Sequence, residues 1–215
     1  VRIQTMLPPP RVPSSPNPLF EAAFGPELEA GDYLIKLIKG KDTLSTKLTI
    51  NNNPDVNHSA ADRQLRRESL LKAYNLLEEL AYVDYQAMEI RKQTLALADS
   101  VKNKGLRANS FKYADKMAAM HEKISATQPG EGGVAGQIRL REKIAEVYSA
   151  IGSYEGKPTD LQLAALSVYV DAVKAMQSEL DTLIKGDLAN YNAGIVRAGL
   201  QPVKVSDKAT FMQSK

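Results

Sequence analysis

The side chains that could bind a metal ion or transfer a proton near neutral pH are few and widely spaced in this sequence. The 215 residues include two histidines and no cysteine. His121 precedes Glu122, but position 118 is alanine and no second histidine follows, so neither Glu-x-x-His nor His-Glu-x-x-His is formed. Because a protein-bound zinc ion needs at least three protein ligands, the sequence predicts no metal site. We expect His58 in a helical seam and His121 on a helix surface or edge.

Asp84 and Arg91 are the polar residues whose positions stand out. They lie seven residues apart in a row of the first predicted helix that is otherwise apolar. One interpretation is a buried polar pair that receives a ligand or a partner. The other interpretation is structural: the two residues form an ion pair that fixes helix register, or they lie at the edge of the apolar stripe, where it is open to solvent. We favour the structural interpretation, because polar residues that set register are common in coiled coils.

A glycine-rich run at residues 130–136 (GEGGVAG) could in principle cradle a phosphate group. It follows a predicted helix, however, and lacks the Gly-Lys-Ser/Thr ending of a phosphate-binding loop. The context that would confirm such a loop is therefore missing. The run favours a flexible connection between helices, and the sequence predicts no cofactor.

Composition narrows the classes of function further. The chain is 43% hydrophobic and 25% charged, as in ordinary globular domains. Its net charge of +3 gives little attraction to nucleic acid or anionic lipid. The arginines and lysines near residues 63–67 and 102–107 do not indicate a nucleic-acid-binding face, because they are interleaved with acidic residues and lack an aromatic platform.

Other exclusions follow from missing residue types. The absence of cysteine excludes disulfides and thiolate catalysis, and no apolar run approaches the ~20 residues of a membrane span. Paired inward carboxylates are also lacking, which disfavours a stand-alone glycosidase. We predict no catalytic residue.

The predicted secondary structure changes from strand to helix at residues 51–54 (NNNP), where the hydrophobic period shifts from two to about three and a half residues. Before this point lie a proline-rich stretch and one hairpin with a Gly40-Lys41 turn. In that hairpin Leu37 faces Leu44, Ile35 faces Thr46 and Tyr33 faces Leu48, which predicts one buried face. A lone hairpin is marginal in water, so we expect further strands, and residues 1–6 are a candidate.

The proline-rich stretch at residues 8–18 forbids both helix and central strand and favours an extended backbone. Phe20 and Phe24 follow it closely. We expect them to anchor this segment on a surface.

Beyond residue 54 the sequence predicts an elongated antiparallel bundle of about four amphipathic helices. The first, of about 43 residues, begins after Ser59, whose capping box includes Asp62. The remaining boundary signals are a cap at Asn109 or Ser110, a stop at Gly152, a capping box at Thr159 and Gln162, a break or kink at Gly186 and a stop at Gly199. We assign residues 1–52 to the last strands of an immunoglobulin- or fibronectin-like sandwich with its proline-rich segment, 53–202 to the bundle and 203–215 to a tail. The fold class is mainly α with a small β part.

The order of these elements resembles one family. Residues 25–37 (GPELEAGDYLIKL) are similar to a Gly-Pro-x-Val-x-Pro-Gly-x-Tyr-x-Val-x-Leu segment near the C-terminus of bacterial exported β-propeller proteins with BNR (Asp-box) repeats, often described as sortilin-like, sialidase-like or glycosyl hydrolase. Residues 58–62 (HSAAD), 154–159 (YEGKPT) and 188–192 (LANYN) also resemble that family's helical tail. Two features depart from the pattern: residues 53–55 read Asn-Pro-Asp for Asp-Pro-Arg, and Ala30 replaces a proline.

The resemblance implies a non-catalytic structural or interaction region of a larger exported protein, whose partners are its own upstream propeller and sandwich. The start of the chain, without an initiator methionine or signal peptide, is what we expect of a fragment. One alternative is an accessory part of a glycoside hydrolase whose active site lies in the propeller. Another is a helical adaptor for a protein partner, which predicts an exposed apolar strip on the bundle.

Overall fold

The computed structural model describes residues 5–130 and 136–213. It confirms a mainly α-helical fold with a small β part. Residues 1–4, where we expected a strand to begin, and most of the glycine-rich run lie outside the described residues. The elements in chain order are β1 (Gly31–Lys39), β2 (Asp42–Ile50), α1 (Ala60–Ser100), α2 (Lys104–Ile124), α3 (Leu140–Gly152), α4 (Asp160–Leu183), α5 (Ala189–Arg197) and α6 (Lys208–Gln213).

The hairpin has the predicted turn and register. Gly40 adopts a φ of 61°, which glycine tolerates and other residues avoid. The pairs Leu37 with Leu44, Ile35 with Thr46 and Tyr33 with Leu48 all form. These pairs confirm that turn geometry and alternation fixed the register.

The hairpin face that was predicted to be buried is only partly covered by the described residues, with Tyr33, Ile35 and Leu48 half-buried. Leu37 and Leu44, on the face expected to be covered, are 60% and 70% exposed. Leu34 and Ile38, on the opposite face, are equally open to solvent. The described helices pack mainly against one another, and none of them covers the sheet. The hairpin therefore carries exposed apolar side chains on both faces.

Helix α1 is the central rod of the bundle. Its N-cap is Ser59, whose hydroxyl accepts from the Asp62 amide at 3.0 Å, as predicted. Its 41 residues span about 62 Å at 1.5 Å per residue. Leu77, Leu80 and Ile90 are completely buried along it and belong to the hydrophobic core.

The other helices form two columns beside α1. Helices α2 and α3 follow one another along α1 and run antiparallel to it. His121, near the end of α2, contacts the middle of α1. The end of α3 contacts Arg66, near the start of α1. Helix α4 returns in the direction of α1 and contacts both α1 and α3. At the predicted break, Gly186 lies in a π-helical turn, Ile184–Leu188, that leads directly into α5.

The predicted start of α2 is wrong by six to seven residues, nearly two helical turns. Its N-cap is Asn103, whose side-chain oxygen accepts from the amides of Gly105 and Leu106 at 2.9 and 3.1 Å. Gly105, a poor helix former, lies in the first turn. A strong asparagine cap offsets one glycine in the first turn, because the cap satisfies two otherwise unpaired amides.

An N-terminal segment, residues 8–24, lies across the helices, and we call it the strap. The predicted anchors, Phe20 and Phe24, are wrong: they are 72% and 71% exposed. Smaller residues hold the strap instead, with Pro10, Pro13, Asn17 and Ala22 buried. Phe20 begins a short 3-10 helix, Phe20–Ala22, that buries Ala22 and leaves the phenyl ring at the surface.

The tail also packs on α1. The side chain of Gln93 pairs with both backbone groups of Lys204, donating to its carbonyl at 2.9 Å and accepting from its amide at 2.8 Å. The Ser206 carbonyl accepts from Gln86 at 2.9 Å. Phe211 of α6 then lies 5.4 Å from the ring centroids of both Tyr82 and Tyr85. The tail thereby covers one side of the central helix.

Candidate functional site

A buried polar cluster centres on Asp84, in the middle of α1 and facing both α2 and the strap. The Asp84 side chain is 3% exposed. A carboxylate in such a position is stable only when its oxygens are hydrogen-bonded. Its neighbours therefore determine what the site can do.

Three donors bind this carboxylate. Nδ1 of His121, on α2, lies 2.6 Å from Asp84 Oδ1. The amide and hydroxyl of Ser14, on the strap, donate to Oδ2 at 3.0 and 3.1 Å. Because an ionised carboxylate only accepts hydrogen bonds, His121 must be the donor through Nδ1. One carboxylate thus joins the central helix, its neighbour and the strap.

Ser, His and Asp are the residue types of a nucleophilic triad, but here they contact one another in a different arrangement. In a triad the serine hydroxyl contacts the histidine, which takes its proton. Here the Ser14 hydroxyl donates to Asp84, and no hydrogen bond joins Ser14 to His121 among the described residues. Without a base on its hydroxyl, Ser14 is not activated. The cluster is a structural cross-link, and we assign it no catalytic role.

The structure does not bring Arg91 to Asp84. No ion pair or hydrogen bond connects these two side chains within the described residues, and Asp84 is occupied by Ser14 and His121. The Nε atom of Arg91 is shielded from water and has no partner there. The two residues keep the predicted spacing on α1 but do not form the predicted pair.

Both histidine positions differ from expectation. The His121 side chain is 12% exposed and lies inside the cluster, not on a helix surface. His58 precedes α1 and is half-buried, and its carbonyl accepts from Arg63, so it is not in the seam. A histidine that packs against a carboxylate 37 residues away cannot be found from local periodicity.

The strap continues from the cluster to the far end of α2. The Ser15 hydroxyl donates to the Ala126 carbonyl at 2.8 Å. The Asn17 side chain donates to Gln128 at 3.0 Å and accepts from the Gly130 amide at 2.7 Å. The buried guanidinium of Arg141, at the start of α3, donates to the Asn17 carbonyl at 3.1 Å. Asn17 therefore ties the strap to the connection between α2 and α3.

Strap and tail meet at Arg11. Its amide donates to Glu78 at 2.5 Å and its guanidinium pairs with the same carboxylate at 3.1 Å. The guanidinium also donates to the Met212 carbonyl at 3.1 Å and lies 5.4 Å from the Phe211 ring centroid. Arg11 thus links the two ends of the described chain to one turn of α1.

The buried tyrosines are packing residues with raised pKa values. Burial raises the pKa of Tyr148 to about 12, and its hydroxyl donates to the Phe24 carbonyl at 2.7 Å. Burial also raises the pKa of Tyr113, assisted by the charge of Asp187. A phenol with a raised pKa stays protonated at neutral pH and acts as a hydrogen-bond donor.

One surface cleft contains arginines that already have partners. It has a volume of about 770 Å³ and lies between the hairpin base and the start of α1. Of its arginines, Arg66 donates to the carbonyls of Ile151 and Gly152, and Arg67 pairs with Glu29 at 2.9 Å. Among the described residues, no three histidine, cysteine, aspartate or glutamate side chains converge in a way that could hold a metal ion.

Comparisons with family profiles, with curated proteins and with solved structures found no match to this chain. Over the part of the chain that the structure describes, no helix is long and apolar enough to cross a membrane.

Proposed function

We propose that this chain is a non-catalytic structural and interaction region of a larger exported protein, and that its hairpin completes a β-sheet of a neighbouring domain. The exposed hairpin is the observation that carries this proposal. Leu34, Leu37, Ile38 and Leu44 are each 60% exposed or more, and two strands alone are marginally stable in water.

The two strands differ in a way that supports docking through β1. One face of its centre is apolar, with Tyr33, Ile35 and Leu37, and the other carries Leu34 and Ile38 on either side of Lys36. Strand β1 is therefore the more apolar of the two strands, although Lys36 interrupts one of its faces. Strand β2 alternates instead, with threonine, serine and Lys47 on one face, as edge strands do. A partner strand would therefore add at the free edge of β1.

The rest of the chain supplies a rigid support for the hairpin. The cross-links at Asp84, Asn17 and Arg11 hold strap and tail against the helices. The hairpin itself emerges from this frame. We assign export, and any hydrolase chemistry, to the parent protein on the strength of the resemblance to propeller proteins with BNR repeats.

The mass of the protein in its source organism tests this proposal. We expect an intact mass well above the 23.5 kDa of this chain, with a β-rich region continuous with the strap. A mature native protein that consists of this chain alone would refute the proposal.

One observation favours the second candidate, a helical adaptor. Leu161 and Val168 on α4 are 80% and 63% exposed, and they form part of an apolar strip of the kind that an adaptor requires. Capture of a helix from a different protein by this strip would support the adaptor function.

A further inference from the structure

The described N-terminus pairs with the stretch of chain that leads into β1. Residues 5–7 lie antiparallel to residues 26–28, and two backbone hydrogen bonds of 2.8 Å hold them together. In one of these bonds the Leu28 amide donates to the Thr5 carbonyl. Strand β1 begins three residues after Leu28. We call this short pairing the N-terminal ladder.

The N-terminal ladder and the free edge of β1 use backbone groups on the same side of the chain. In a hairpin with a two-residue turn, the residues that flank the turn form a hydrogen-bonded pair. Here these residues are Lys39 and Asp42. The odd-numbered residues of β1 therefore bond to β2, and the even-numbered ones direct their amides and carbonyls to the free edge. The residues that bond to the N-terminus in the ladder, Pro26 and Leu28, are also even-numbered.

The chain direction in the N-terminal ladder leads along this edge. Because residues 5–7 run antiparallel to residues 26–28, the chain followed back from Thr5 advances in the direction in which the second stretch enters β1. The backbone bends at Ala30, so a strand that follows both stretches has to bend with it, as strands do at bulges. No described helix covers the sheet.

The strap fixes the N-terminal ladder in place, because it connects the two sides of the ladder. It is held to the helices by the hydrogen bonds of Ser14 with Asp84 and of Asn17 with Arg141. The backbone that enters the ladder is therefore anchored beside the base of the hairpin.

We propose that the strand that completes the sheet at β1 is the segment immediately upstream of Thr5, antiparallel to β1 and in the same polypeptide. This inference rests on the function proposed above, in which the chain is part of a longer protein, and it names the partner of the hairpin. In the N-terminal ladder the residue numbers of each pair add to 33, as for Met6 and Glu27. The same register places Leu34 opposite the second residue upstream of Val1, and Ile38 about four residues further upstream.

The tether at Thr5 favours this strand over a strand from another polypeptide. A segment joined to the end of the edge has a high effective concentration there. A foreign strand could occupy the edge only if the chain upstream of Thr5 turned away from it. Because both strands would make the same kind of main-chain hydrogen bonds with β1, the tether decides between them.

Disulfide trapping in the full-length recombinant protein tests the proposal. This chain contains no cysteine, so Leu34→Cys can be combined with single cysteines at the roughly ten positions upstream of Val1 that one strand could span. We expect a disulfide within one polypeptide, strongest about two residues upstream of Val1, and a shift of about four residues further upstream for Ile38→Cys. Ser45→Cys, on the outer strand β2, is the matched control and should give no such disulfide.

Three outcomes would overturn the proposal. The first is a shift toward Val1 when the cysteine moves from Leu34 to Ile38, which indicates a parallel strand. The second is a disulfide to a distant segment or to a second polypeptide. The third is no disulfide although the β1 amides are protected from hydrogen exchange. In each case a different strand covers β1, and the function proposed for the hairpin stands.

Rapid exchange of the β1 amides in the full-length protein has a different consequence. It would refute completion of the sheet itself, and with it both the proposed function and this inference. Circular dichroism of each variant excludes unfolding as the cause of a lost disulfide.

Discussion

The Asp84 carboxylate on α1 lies 2.6 Å from Nδ1 of His121 on α2, and its other oxygen binds Ser14 of the strap. The α1–α2 pair and the strap thus share one buried acceptor. Removal of a buried acceptor leaves its donors unpaired, which makes such cross-links sensitive to substitution.

A double-mutant cycle tests whether Asp84 is coupled to His121 and not to Arg91. Asp84→Ala should lower the free energy of unfolding by about 3–5 kcal/mol, because it leaves buried donors without a partner. Its coupling to His121→Ala should exceed about 1 kcal/mol, whereas its coupling to Arg91→Ala should stay within about 0.5 kcal/mol. Urea denaturation provides the free energies.

If the coupling to Arg91 were the larger one, the predicted ion pair would exist in solution and the cross-link described here would be wrong. Asp84→Asn gives a milder version of the cycle should the alanine variant fail to fold. It keeps one acceptor oxygen while removing the charge.

Gly25 is a position where a single methyl group should disrupt the attachment of the strap. A Cβ atom there would lie 2.1 Å from the Leu7 carbonyl oxygen and 2.3 Å from that of Pro8. Since both neighbours are backbone atoms, Gly25→Ala should lower the free energy of unfolding by about 1–3 kcal/mol or more. Faster proteolysis near residues 5–28 should accompany this loss.

Gly186→Ala is the matched control for Gly25→Ala. A Cβ atom at Gly186 would meet nothing within 4 Å, and alanine is the better helix former. We expect unchanged or slightly greater stability. Equal destabilisation by the two substitutions would contradict the close approach of Gly25 to the N-terminal backbone.

Tyr148 should make stability fall at alkaline pH. Its pKa is raised from 10.0 to about 12 in the folded protein, so the folded state favours the protonated phenol. The resulting stabilisation is complete below pH 10 and is lost as the pH rises to about 12, and it amounts to at most ~2.7 kcal/mol. Tyr148→Phe should start less stable at pH 8 and approach the wild type as the pH rises.

The measurement is the difference in free energy of unfolding between wild type and Tyr148→Phe from pH 8 to pH 12. A constant difference would show that burial of this phenol does not contribute to the pH dependence. Tyr33→Phe is the matched control, because it removes a hydroxyl donor to the Glu29 carbonyl from the start of the hairpin.

The sequence predicted the features that depend on neighbouring residues. Gly40 specified the hairpin turn, Ser59 the start of α1, and Thr159 with Gln162 the start of α4. Each signal acts within one turn, so one sequence suffices to find it. The start of α2 was missed because Asn103 caps it through a glycine that also signals a break.

The candidate site was only half predicted, for a physical reason. Asp84 was singled out because a charge interrupts an apolar row, and the residues of that row before it, Leu77 and Ala81, are indeed buried. Its partners, Ser14 and His121, lie 70 and 37 residues away. Helical periodicity contains no information on contacts at that separation, so the nearest charge in the same row, Arg91, was the only partner that the pattern could offer.

Hydrogen exchange at residues 31–50 is the most direct test of the central claim that the hairpin completes a sheet in a larger protein. In the isolated chain we expect these amides to exchange rapidly, since two exposed strands give little protection. In the native protein from its source the β1 amides should exchange at least about a hundredfold more slowly, because a docked partner strand blocks opening. Equally rapid exchange in both proteins would contradict the claim.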